Sequence, residues 1–284
     1  FQGIATMVAS EPIIAIARVM LIALGIMFVY LGANGTLEPL IMIPMGVGMA
    51  SVNAGVLYLS STTTGTLFID PIASEPEQLL EVLQINFLQP IYTFTFSNGL
   101  IAVLIFMGIG VISDIGYMLI SPFRCMTIAI FAELGTLLTF PIAVAMGLPY
   151  NEAAAIAMVG SADAPMVLYT SLLLAKDLFV PITIVAYLYL SLAYAGYPYL
   201  VRMMIPKELR GIKMDQTKIP NISKKEKITF AIILATLLCL LFPVAAPLFA
   251  AFFLGIIIRE SGVTQFIEFL SGPVLYGATF FLGL

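Results

Sequence analysis

The sequence predicts an all-α polytopic integral membrane protein, and three observations carry that reading. Of 284 residues, 61% are hydrophobic and only 10% charged, with a mean hydropathy of +1.08, the composition of bilayer-spanning helices. The apolar runs are continuous, as in ITFAIILATLLCLLF (228–242), whereas a transmembrane barrel would show short alternating segments. One run, AAAIAMVGSADAPMVLYTSLLLA (153–175), is broken by GSADAP, which puts Asp163 between a glycine and a proline at a depth where charge is costly. The predicted architecture is therefore a set of transmembrane helices with one discontinuous, re-entrant hairpin over 153–175. The chain reads as a single membrane domain over 1–284. Its start at Phe1 and its end at Leu284, within VLYGATFFLGL, predict a piece of a longer protein, cut at both ends.

Composition also excludes chemistry. With no histidine, imidazole metal sites, Ser-His-Asp triads and histidine proton shuttles are absent. The two cysteines, Cys125 and Cys239, lie in or beside separate apolar runs without metal-type spacing and read as small hydrophobes. Any site must use oxygen ligands. The formal net charge is −4, and no nucleic-acid partner is expected.

Taken in order, the segment 60–98 carries Asp70, Glu75, Glu77 and Glu81 and no basic residue, and is placed outside. Four apolar segments follow: 99–120, 125–146, 152–175 and 178–201. The loop 202–227 then holds 8 of the 12 basic residues and is placed in the cytoplasm by the positive-inside rule. Solvated linker is the plain reading of both loops, although the basic one also suits a soluble partner. An odd number of crossings must separate an outer from an inner loop, so one of the four segments returns on its own side. The run broken by GSADAP is the candidate, dipping from the outer face because Arg124 falls inside and Lys176 and Asp177 fall outside. Beyond Pro243 the topology stays open, since 247–258 is short for a full crossing.

Pro165 lacks an amide hydrogen, so a helix through it would leave the Ser161 carbonyl unpartnered, and Gly160 lets the chain bend. A freed carbonyl, the Ser161 hydroxyl and the Asp163 carboxylate make a hard oxygen set suited to sodium or a proton, with Asp163, Ser161 and Gly160 as the candidate sodium site. No basic residue shares that segment, so a mobile cation is the simplest partner. The alternative is a protonated structural aspartate. Asp114, near the cytoplasmic end of its predicted helix, either serves the site or faces the interface. Glu133, near mid-helix, is a candidate second cation or proton ligand or a structural acid. Tyr187 and Tyr189 are interfacial belt residues or a buried hydroxyl that exchanges a proton.

These motifs resemble a known family. GSADAP with MVLYTSLLLAKDL is similar to the GGADGP segment of the β subunits of sodium-pumping, biotin-dependent decarboxylases, the oxaloacetate, methylmalonyl-CoA, glutaconyl-CoA and malonate group. LEPLIMIPMGVG, LIFMGIGVISDIGYMLISP, IVAYLYLSL, ISKKEKITF, FPVAAPLFAAFFLG and RESGV look like that family's segments in the same order. The resemblance implies a membrane subunit that releases carbon dioxide from carboxybiotin and couples the release to sodium export. It implies that Asp163 is the sodium-coupling residue and that Tyr189 handles the proton of decarboxylation. It further implies part of an inverted-repeat transporter fold in the cell inner membrane. The implied partners are a biotin-carrying carboxyltransferase subunit, a small membrane-anchor subunit and further copies of the chain, besides membrane lipid. No biotin-attachment lysine motif is visible here, so carboxybiotin must arrive on a partner. Ser161 and Ala164 stand where the family has glycine, Glu133 where relatives carry glutamine, and Ile256 where they carry asparagine. A second broken segment, NPxxGxAGVS-like, would lie beyond Leu284.

The leading functional expectation is thus a sodium-translocating decarboxylase subunit. A sodium- or proton-coupled secondary transporter without decarboxylase chemistry is the alternative, and a non-catalytic membrane scaffold the third.

Overall fold

The computed structural model describes residues 2–9, 12–58, 64–66, 68, 86–212 and 222–284. The acids Asp70, Glu75, Glu77 and Glu81 and the basic residues Lys213 and Lys218 lie outside these residues, so much of the two loops read as outer and cytoplasmic is not described. The described chain is helical apart from one short antiparallel pair, β1 (Val56–Tyr58) with β2 (Thr64–Thr66). Among the described residues, five helices are long and apolar enough to cross a membrane: Pro12–Ala33, Pro122–Ala145, Lys176–Met204, Pro243–Ser261 and Thr264–Gly283. The protein is polytopic, as its composition requires. The run 247–258, short on apolar sequence alone, becomes a 19-residue span once residues 243–246 and Arg259–Ser261 join it.

Two compact units are present, residues 1–100 with 279–284, and residues 101–278. The first contains α1 (Gln2–Ala9), α2 (Pro12–Ala33), α3 (Pro39–Ala54) and the short α4 (Gln89–Ile91), which runs into a π-helical turn at Tyr92–Phe96. Pro39 opens α3, where a missing amide hydrogen costs nothing, and Glu38 caps it through the Leu40 N–H. A Cβ on Gly25 would lie 2.6 Å from the Gly46 carbonyl, so α2 and α3 touch backbone to backbone, as small residues allow in lipid.

The second unit holds the candidate site. It begins within α5 (Leu100–Ile112), followed by α6 (Gly116–Ile120), α7 (Pro122–Ala132), α8 (Leu134–Ala145), α9 (Tyr150–Ala157), α10 (Ala164–Leu174), α11 (Phe179–Met204), α12 (Lys207–Arg210), α13 (Lys224–Leu241), α14 (Ala246–Ser261), α15 (Thr264–Phe269) and α16 (Leu275–Gly283), the last reaching beyond the unit. The segment predicted as one helix over 99–120 is two. Ser113 Oγ donates back to the Ile109 carbonyl and Asp114 Oδ1 accepts from the Gly116 N–H, so local side-chain bonds hold the break open. Asp114 sits in that break rather than in a helix.

A reciprocal Ser223–Glu226 capping box starts α13: the Ser223 N–H reaches Glu226 Oε2 at 2.8 Å, and Ser223 Oγ accepts from the Glu226 N–H. Phe253 and Ile256 of α14 pack with Ala231 of α13 and with Ile115, all buried. Ile256 is fully buried there, which explains an apolar residue at that position. Arg210 folds back onto the carbonyls of Arg202 and Ile205 at 2.7 and 2.6 Å, so this cation of the basic loop caps the end of α11.

Candidate functional site

The interrupted run is a helix–turn–helix with a left-handed corner. Met158–Ser161 tighten into a 3₁₀ turn, Ala162 adopts φ +56°, and Asp163 becomes the N-cap of α10. Asn151 Nδ2, at the start of α9, donates to the Leu174 carbonyl at the end of α10 at 2.8 Å. The two arms therefore run antiparallel, and their outer ends meet. Ile156, Met158 and Val159 of the first arm, with Val167 of the second, pack on Ile182 and Ala186 of α11.

Two local expectations are corrected by this geometry. Gly160 is not the residue that bends the chain, because the positive φ belongs to Ala162. Pro165 falls in the first turn of α10, where its missing N–H leaves no helical bond unmade, so the Ser161 carbonyl is not freed by it. Asp163 accepts from the Met166 N–H at 3.4 Å and lies at the positive end of α10, contacts the sequence reading did not include. Neither Ser161 nor Ala164 takes a positive φ, so replacing glycine there strains nothing. Ser161 Oγ donates to the Met158 carbonyl at 2.7 Å, which uses its proton and leaves its acceptor lone pairs unused by that bond.

Gly160 matters through close approach. A Cβ there would lie 2.6 Å from the Thr136 nitrogen and 2.7 Å from the Gly135 carbonyl carbon, so the hairpin tip presses its backbone onto the start of α8. Glu133 occupies the junction between α7 and α8, with φ −87° and ψ 6°, and its Oε2 accepts from Thr136 Oγ1 at 2.9 Å. The contact of Gly160 with Gly135 and Thr136 sets the tip beside the residues that follow Glu133. The fold thus gathers Asp163, Glu133, Gly160 and Ser161 at one place. Substituting Gly160→Ala should force the tip away from α8 and destabilise the protein by about 1–3 kcal/mol, read as a lower melting temperature in detergent, with a still larger loss of activity. Wild-type melting and wild-type turnover in this variant would show that the close approach is dispensable.

Asp114 is not brought there. It forms ion pairs with Lys227 at 2.9 Å and Arg259 at 3.6 Å, while Glu260, buried at 8% exposure, takes Lys227 at 3.2 Å. The Gly116 N–H first, and then the Lys227 ammonium, hold the Asp114 carboxyl below its ordinary range. This neutral four-residue network joins the α5–α6 break to the first turn of α13 and the last turn of α14, and Arg259 Nη1 also donates to the Ile112 carbonyl at 2.8 Å. Sequence reasoning singled out only Asp114; its partners are distant in sequence.

A family model described as the Na+-transporting oxaloacetate decarboxylase beta subunit matches residues 17–284. The chain belongs to that family. It is similar over its full length to the carboxybiotin decarboxylase of Malonomonas rubra, at 52% identity, and covers 71% of that protein. The methylmalonyl-CoA decarboxylase subunit beta of Propionigenium modestum is 30% identical over 94% of this chain and 67% of its own. A probable oxaloacetate decarboxylase beta chain of Pasteurella multocida is 29% identical over 95% of this chain and 70% of its own.

In this decarboxylase β-subunit chain the two tyrosines of IVAYLYLSL part company. They lie about 200° apart on α11. Tyr187 is buried at 3% exposure, whereas Tyr189 is 42% exposed. Ser191, one turn beyond Tyr187, is also buried. Cys125 and Cys239 are free thiols at half-buried positions. Thr136, Asn151 and Tyr169, whose hydroxyl donates to the Val244 carbonyl at 2.9 Å, shape the site without having been foreseen. The signal for Asn151 and Thr136 was present as polar residues in or beside apolar runs.

Proposed function

We propose that this chain is the membrane subunit in which carboxybiotin, delivered by a biotin-carrying partner, is decarboxylated, with sodium moving past Asp163 as the coupled cargo. The N–CO₂⁻ bond of carboxybiotin breaks, carbon dioxide leaves, and the ring nitrogen takes up a proton, so the site must deliver one proton per turnover. The observation that carries the site is the backbone contact of Gly160 with Gly135 and Thr136, which brings the Asp163 turn beside the Glu133 junction. Two carboxylates in apolar surroundings are costly as a charged pair and are relieved by a shared cation or proton. Sodium entry then releases the proton that decarboxylation consumes, which ties the two events by charge balance.

The sidedness of this reading follows from lengths. The arms of the hairpin are about 16–20 Å long, too short for a hydrocarbon core of about 30 Å, so they enter and return. From the mouth of the hairpin, α11 runs 26 residues, about 39 Å, to Arg202 and the basic loop. With that loop in the cytoplasm, the hairpin opens outward and its tip lies near mid-membrane. The region 202–227 is the approach for the partner that carries biotin. A small anchor subunit, a homo-oligomer, the inner membrane as location and an inverted repeat completed by a second broken segment belong to the same proposal.

Two experiments test it. Avidin added to inverted vesicles bearing the assembled complex should abolish sodium uptake and decarboxylation together; uptake that survives would make the chain a secondary transporter. The tyrosines separate by single substitution: with Tyr189 relaying to the biotin nitrogen the proton that sodium entry releases, Tyr189→Phe should cut turnover by about 10²-fold and flatten the pH–rate profile, whereas Tyr187→Phe should affect mainly stability. The reverse pattern would move the proton to Tyr187.

A further inference from the structure

The second arm of the hairpin is held by a residue that no step above uses. Tyr169, six residues after Asp163 on α10, donates its hydroxyl to the carbonyl of Val244 at 2.9 Å. Val244 lies in the 3₁₀ turn Pro243–Ala245 that joins α13 to α14. The residue three positions on is Pro247, which has no N–H, so this carbonyl finds no donor in the next 3₁₀ bond and is open to an outside one. Tyr169 fills that role.

What it is tied to is fixed at its other end. The α13–α14 pair is pinned, one helix length away, by the Asp114–Lys227–Glu260–Arg259 network. Along its length, α14 crosses α5 so closely that a Cβ on Gly110 or Gly255 would overlap the carbonyl of Phe252 or Met107. The pair is thus a rigid post. By contrast, α10 has only 11 residues, begins at a left-handed corner and ends at the Asn151 clasp. A rotation of about 20° about its own axis would shift a side chain some 5–6 Å from that axis by about 2 Å. Such a shift exceeds what an ion site tolerates.

We propose that Tyr169 is a positioning residue for the cation site: its bond to Val244 fixes the rotation of α10 and hence where the Asp163 carboxylate points. The inference rests on sodium binding at Asp163. It does not give Tyr169 any part in the chemistry.

The test uses the assembled, sodium-dependent decarboxylase and varies sodium. Tyr169→Phe, which removes only the hydroxyl, should raise the half-saturating sodium concentration about 3- to 10-fold, the span of one lost hydrogen bond, while turnover at saturating sodium stays within about twofold. Pro247→Ala supplies the N–H that the Val244 carbonyl lacks and competes with Tyr169 for it, so it should raise half-saturation in the wild type and add nothing in Tyr169→Phe. A half-saturation in Tyr169→Phe within about 1.5-fold of wild type, a fall in turnover without a change in sodium requirement, or additive effects of the two substitutions would each overturn the proposal. A wild-type enzyme indifferent to sodium would instead remove the reading of Asp163 on which it stands.

Discussion

Asp163→Asn should abolish sodium-dependent decarboxylation, by about 10³-fold or more, in a protein that still folds. The contrast follows from the N-cap role the structure shows and the cation-partner role proposed for this residue. As N-cap of α10 it needs only a short side chain with an oxygen that accepts from the Met166 N–H, and asparagine caps a helix as well as aspartate does. As the partner of a cation it needs its negative charge, which asparagine lacks at the same volume. A purely structural aspartate therefore predicts a near-neutral substitution, and a coupling aspartate a dead one. Turnover and sodium uptake measured together with the melting curve decide between them; an active Asp163→Asn enzyme would end the coupling reading. Glu133, opposite, offers a graded comparison, because Glu133→Gln keeps an acceptor for Thr136 Oγ1 while removing the second charge.

Lys227→Met should destabilise the protein by about 3 kcal/mol. The Lys227 side chain is 15% exposed, and the Glu260 side chain beside it is 9% exposed with its other cation, Arg259, at 4.0 Å. Removing the ammonium leaves a buried carboxylate uncompensated, which costs more than the intact pair contributes. Replacing both, Lys227→Met with Glu260→Leu, should recover most of the loss. The chain has no tryptophan, so unfolding is best followed by circular dichroism. Asp114 adds a pH signature. Its carboxyl is held below the ordinary value by the Gly116 N–H and Lys227, so its contribution is complete above the unfolded value near 3.9 and is lost as pH falls through the lower folded value. Stability should accordingly be flat above about pH 5 and decline below about pH 4, with a shallower decline in Asp114→Asn. Because Asp114 is 40% exposed, this signature is smaller than the Lys227 effect.

Much of this protein was legible in one dimension because the signals are local. Apolar runs long enough to span, a proline and glycine within one of them, and the cation-rich loop ahead of α13 all act over a few residues. They gave the helical membrane class, the broken run and its single carboxylate. The resemblance of ordered motifs gave the family. Helix breaks were less legible: Asp114 and Glu133 both looked helical, and only their backbone bonds placed one in a gap and the other at a junction.

What the sequence alone determined is which segments enter a bilayer, since transfer of a helix into lipid depends on its own composition. What the tertiary structure decided is which polar groups meet. Lys227 finds Asp114 from 113 residues away, Tyr169 finds Val244 from 75, and the hairpin tip lands on Gly135 and Thr136. In lipid a helix face turned to a neighbour is as apolar as one turned to solvent chains, so hydrophobic patterning carries no record of these pairings. They follow from backbone close approach at glycines and from the cost of leaving a charge or carbonyl unpartnered, both of which exist only once the helices are packed.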